Sequence, residues 1–167
     1  MSNRKKEFDK AAEKLRGMKT LAEILDTATA FEESARDFYT ELAPKVSKRI
    51  RWLVEELAEE EKEHYRLFSE LASRTRSSDT IQIKVKTPQS DGKFTDCLHL
   101  PDLGKSPDDQ EVMLYALGRE QAAMEQYRAL ADSTQPGEIH DLFEFLANEE
   151  TKHKAELEKQ YYELFHS

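Results

Sequence analysis

Apolar residues recur at helical spacing along four long stretches of this chain. The first opens at Thr20, where Thr20-x-x-Glu23 reads as a capping box. Its inner stripe is Leu21, Ile24, Leu25, Ala28, Glu32, Ala35, Tyr39 and Leu42, and Pro44 ends it. A second helix follows a short turn, capped by Ser47 and running to about Ala72, with Ile50, Leu53, Leu57, Leu67, Phe68 and Leu71 inward. So short a turn makes the pair antiparallel. Ser106-Pro107 reads as N-cap and first turn of a third helix reaching about Asp132. Its stripe is Met113, Ala116, Leu117, Glu120, Ala123, Met124, Tyr127 and Leu130. Past the break at Ser133–Gly137, a fourth helix buries Ile139, Leu142, Phe143, Leu146, Leu157, Tyr161 and Leu164 almost to the end of the chain.

Two segments depart from this pattern. Residues 4–16 place Phe8, Ala11, Ala12 and Leu15 on one face of a short charged helix ending at Gly17, so 1–19 read as an N-terminal extension and 20–167 as the bundle. A frayed tail is the alternative. Residues 73–105 accumulate Ser, Thr, Asp, Gly and Pro, with Ile81, Ile83 and Val85 alternating as in a strand. A connection of this length can return along a helix of roughly 40 Å, so the third helix runs parallel to the second. The expected fold is all-α: two antiparallel hairpins joined by a long crossover.

Charged residues interrupt the apolar stripes in a repeated way. Residues 57–64 read Leu-Ala-Glu-Glu-Glu-Lys-Glu-His and residues 146–153 read Leu-Ala-Asn-Glu-Glu-Thr-Lys-His, each closing on Glu-x-x-His as Glu61/His64 and Glu150/His153. Residues three apart on a helix share a face, about 5–6 Å apart at Cβ, so the pair can grip one metal ion from one side. The first and third helices share Glu-x-x-Ala-x-x-x-Tyr, as Glu32/Tyr39 and Glu120/Tyr127. Buried carboxylates are costly unless paired or bound to metal, and a metal removes the conflict. Four carboxylates balance two divalent cations, and carboxylate with imidazole suits iron, manganese or zinc. Each tyrosine leans back towards the metal level, where its hydroxyl can bond the carboxylate of the opposing helix.

Register separates these residues from look-alikes. Glu163 and His166 also match Glu-x-x-His but lie at the chain's end without the Leu-Ala phrase, so they read as surface. His99 and His140 lack a carboxylate at that spacing and read as solvent-facing or locally packed.

Composition narrows the partners. The net charge of −9 disfavours nucleic acid and anionic membranes, which need a basic surface. No apolar run spans a bilayer and no signal-peptide core stands near the N-terminus, so the cytoplasm is the default. Cys97 is the only cysteine, which excludes an internal disulfide or a four-Cys metal site, and it reads as a bystander in a polar loop.

Taken together, the two Glu-x-x-Ala-x-x-x-Tyr and two Glu-x-x-His phrases resemble the rubrerythrin branch of the ferritin-like di-iron carboxylate proteins, over about residues 20–165. The resemblance implies a ferritin-like four-helix bundle holding two iron ions. It makes Glu32, Glu61, His64, Glu120, Glu150 and His153 the ligands, with Glu61 and Glu150 bridging. Tyr39 and Tyr127 would support them from behind. It implies redox chemistry at iron with O2 or hydrogen peroxide and a separate electron donor, and it leaves a homodimer open. Two features depart from rubrerythrins proper: Ala123 stands where they carry an extra carboxylate, and this chain has no four-Cys rubredoxin domain. The similarity is therefore to a stand-alone ferritin-like domain, with sustained peroxidase turnover expected only when an electron carrier is supplied. The alternatives are an iron-binding or storage module without turnover, and a helical interaction domain with a structural metal such as zinc.

Overall fold

A computed structural model describes residues 18–76, 84–86 and 103–166. The expectations for 4–16, for Ile81 and Ile83, and for Cys97 and His99 fall outside these residues. Among the described residues four helices make up the body: α1 (Leu21–Leu42), α2 (Lys48–Thr75), α3 (Asp109–Ser133) and α4 (Glu138–Phe165). No described helix is long and apolar enough to cross a membrane.

Helix α1 begins as its sequence directs. Thr20 is extended at N-cap, its hydroxyl oxygen accepts from the Glu23 amide at 3.2 Å, and its O–H donates to Glu23 Oε1. Two other starts differ from expectation. Ser47 is the N-cap of α2, but its hydroxyl donates instead to Asp109 Oδ2 at 2.7 Å, tying the starts of α2 and α3 together. Helix α3 opens two residues after Ser106-Pro107: Asp108 is its cap and accepts from the Glu111 amide at 3.1 Å. Two acids in the first turn, Asp109 and Glu111, suit the positive end of that helix. Helix α2 runs to Thr75, about one turn beyond the expected stop. Gly137, at φ 155°, precedes α4 in a conformation open to glycine.

An unexpected pairing accompanies the helices. Strands β1 (Met18–Thr20) and β2 (Lys84–Lys86) run antiparallel, with Lys19 opposite Val85. Three residues a side is a clip, and it anchors the crossover beside the start of α1.

Contacts at the two ends fix the topology. Arg49 on α2 donates to the Leu164 carbonyl near the end of α4, while Arg74 pairs with Glu138 at the other end. Helices α2 and α4 are therefore antiparallel. The Ser47–Asp109 bond sets α3 parallel to α2, as the long crossover requires.

The core divides into two apolar layers. One gathers Leu25, Phe31, Phe68, Leu71, Tyr127, Leu130, Phe143 and Leu146 with their neighbours. The other gathers Phe38, Tyr39, Ile50, Leu53, Leu57, Met113, Ala116 and Leu157. Each fully buried Phe or Leu contributes roughly 1.5–3 kcal/mol relative to exposure. Buried charges fill the level between the layers.

Candidate metal centre

Five side chains at that level are buried: Glu32 from α1, Glu61 and His64 from α2, Glu120 from α3 and Glu150 from α4. His153, also from α4, retains 12% exposure. All four helices contribute because each stripe places its acid one or two turns from the apolar residues that bury it.

His64 Nδ1 lies 3.1 Å from Glu150 Oε1, 3.5 Å from Glu61 Oε2 and 3.6 Å from Glu32 Oε2. One ligand atom from each of these four residues falls within 4.8 Å of the others. His153 Nδ1 lies 3.7 Å from Glu120 Oε2 and 3.8 Å from Glu150 Oε2. The imidazoles are near-parallel, with ring centroids 5.7 Å apart. Glu150 thus turns one oxygen to each histidine, the position of a bridging carboxylate. Glu61 does not: its Oε1 accepts from Arg119 Nη1 at 3.1 Å and only Oε2 faces the centre.

Glu60 and Arg119 escaped the sequence reading. Arg119 is 1% exposed on α3; its Nη2 donates to the Phe31 carbonyl at 3.1 Å, and its guanidinium lies 3.9 Å from the Phe31 ring centroid. The signal was present, because Val112, Ala116, Arg119 and Ala123 keep the same i+4, i+3, i+4 register that singled out Glu61. Glu60 is half-buried behind the second histidine, with Oε1 3.3 Å from His153 Nε2. A carboxylate there can hold Nε2–H and leave Nδ1 to a metal. Glu60 and His153, with Glu56, Glu156 and Leu157, line a surface pocket of about 30 Å³, room for about one water.

The tyrosines do not behave alike. Tyr127 donates to Glu32 across the bundle. The mirrored bond from Tyr39 to Glu120 is not formed, and the buried Tyr39 hydroxyl has no hydrogen-bond partner among the described residues. Burial pushes both phenols well above their ordinary value.

The charges respond to this crowding. Burial, with the Glu61 carboxylate beside it, pushes Glu32 up to about 8. Burial alone would raise Glu61 too, but the Arg119 guanidinium takes it well below the carboxylate range. Burial would lower His64; Glu150, Glu32 and Glu61 outweigh it and raise the imidazole well above its ordinary value. His153 is raised in the same way, by Glu150 and Glu60, and burial pushes Glu60 up to about 7. Without metal, protons must fill this centre.

The remaining candidates sit apart. Glu163 and His166 are exposed. His140 is half-buried, its Nδ1 2.7 Å from the Ala131 carbonyl and its Nε2 3.3 Å from Glu144.

Ten buried side-chain nitrogen and oxygen atoms lack a hydrogen-bond partner among the described residues. Eight belong to Glu32, Glu61, His64, Glu120, Glu150 and His153. Buried polar groups are ordinarily satisfied, so such a concentration asks for a cation. Oxygen-rich donors with two imidazoles fit a pair of divalent ions.

Residues 23–95 match the rubrerythrin family model. Rubrerythrins are a ferritin-like di-iron family, and the match spans α1, α2 and part of the crossover. Glu32, Tyr39, Glu61 and His64 lie inside the rubrerythrin match, whereas Glu120, Glu150 and His153 lie beyond it, on the second hairpin. No curated protein and no solved structure matches the chain.

Proposed function

We propose that this protein binds two iron ions in the bundle core and carries out redox chemistry there, the oxidation of Fe(II) by O2 or hydrogen peroxide. The convergence of eight unpartnered buried donor atoms carries the reading. The rubrerythrin match on the first hairpin supports it.

Glu32, Glu61, His64 and Glu150 would hold one ion, and Glu120, Glu150 and His153 the other. Manganese or zinc could use the same donors. Bound iron supplies the electrons for the oxidant and a template that orients it. The chain's own residues do the rest. Tyr127 holds Glu32 from behind, and Glu60 holds His153 at Nε2. The two apolar layers keep water from the His64 side. Glu32, which carries a proton up to about pH 8 without metal, gives it up on loading. An electron donor supplied separately would return the centre to Fe(II).

Protein loaded anaerobically with Fe(II) and mixed with each oxidant tests this. The near-ultraviolet absorption of ferric iron should develop, with elemental analysis near two irons per chain. No optical change with either oxidant would refute the redox reading. A single oxidation that added reductant cannot repeat would favour storage over turnover.

A further inference from the structure

We propose that Arg119 is a positioning residue that confines Glu61 to the His64 half of the centre, making the two metal positions unequal. The inference rests on the six residues forming a two-metal site.

Arg119 is held at three points on α1 and α2: the Glu61 carboxylate, the Phe31 carbonyl and the Phe31 ring. At 1% exposure it cannot swing aside without leaving a buried charge unpaired. Glu61 Oε1 is therefore committed to the guanidinium. Oε2 faces His64 at 3.5 Å, and Glu61 groups with Glu32, His64 and Glu150 as one set of possible ligands. The group of His64, Glu150 and His153 does not include Glu61.

Two environments follow. The His64 position has three carboxylates and an imidazole, all buried. The His153 position has Glu120, shared Glu150 and His153, and it borders the pocket beside Glu60. The first thus offers one more anionic donor and less exposure, 5% for the His64 side chain against 12% for His153. An ion should fill it first, and a second ion should bind His153 more weakly. The two hairpins carry the same ligand pattern; Arg119, whose counterpart on α1 is Phe31, breaks the equivalence.

Anaerobic titration of the metal-free full chain with Co(II), followed by calorimetry and visible absorption, reads the two steps separately. Two steps should appear, their affinities at least about tenfold apart, the low end of what an outer residue imposes on a metal site. His64→Ala should remove the tight step and His153→Ala only the weak one. Arg119→Gln frees Glu61 to reach both ions, so the gap should close to within about threefold. Arg119→Lys keeps the charge but cannot hold Glu61 and the Phe31 carbonyl together, so it should narrow the gap by a smaller factor. It decides the matter if Arg119→Gln fails to give a helical circular dichroism spectrum.

A merely structural arginine would lower the melting temperature and leave the ratio of affinities intact. Equal affinities in the parent would overturn the proposal, as would a parental gap in whichever arginine variant folds. Saturation at one cobalt per chain or fewer would instead overturn the two-metal reading itself.

Discussion

Glu150 is the residue that faces both halves of the proposed centre. Its two oxygens reach towards His64 and His153, so Glu150→Gln removes one anionic donor from each position while nearly preserving shape. An ion that binds only the native state at a hundredfold excess over Kd stabilises it by ~2.7 kcal/mol, and two such ions by ~5 kcal/mol. For a chain of this size each kcal/mol moves the midpoint by roughly 2–4 °C, so loading should raise the parent by about 10–20 °C. In Glu150→Gln that rise should fall below half. The metal-free midpoint should move little, within about 4 °C, because the Glu32 and Glu61 carboxylates still lie 3.6 and 3.5 Å from His64 Nδ1 and keep its charge compensated. A residue important only for folding would do the opposite, lowering both midpoints together. Melting of chelated and Fe(II)-loaded protein under nitrogen, with elemental analysis, separates the cases. Glu163→Ala deletes an equally good Glu-x-x-His match at an exposed site and serves as control. If the metal-induced rise survives in Glu150→Gln, or is lost in Glu163→Ala, register and burial do not mark the metal-binding side chains.

Two further outcomes are expected. Tyr127→Phe, which strands a Glu32 oxygen, should lower metal-free stability by about 1–3 kcal/mol, whereas Tyr39→Phe removes an unpartnered hydroxyl and should be neutral or slightly stabilising; equal losses in urea melts would refute the asymmetry. The metal-free protein should lose stability as pH rises from about 5 to 8. Glu32, raised from 4.5 to about 8, favours the fold in its protonated form, so its contribution is full below 4.5 and lost by about 8. His64 works in the same direction above its ordinary 6.5, and the lowered Glu61 works the opposite way only in acid, below 4.5. Loaded protein should show a weaker or opposite trend, because metal replaces those protons. Urea midpoints of the metal-free form that rise between pH 5.5 and 8 would contradict this.

Most of the fold was legible because helical periodicity is local. The stripe of α1 named Leu21 through Leu42 correctly, since each residue's face is set by 3.6 residues per turn whatever it packs against. The Glu-x-x-His pairs were legible for the same reason: their spacing is a property of one helix. Local rules failed where two signals competed. Ser106-Pro107 and Asp108 each qualify as a helix start, and the side chain that reaches a free amide, Asp108 to Glu111, was chosen in three dimensions. Ser47 had the composition of a cap, but packing placed Asp109 within reach of its hydroxyl. The centre divides along the same line. Its acids and imidazoles could be named from register, but their partners belong to other helices, 58 positions away for Glu61 with Arg119 and 95 for Glu32 with Tyr127. No periodicity within a helix encodes which buried charge meets which across a bundle. Only the packed structure decided that Glu150 spans the two histidines, that Glu61 gives one oxygen to a guanidinium, and that the duplicated halves are not equivalent.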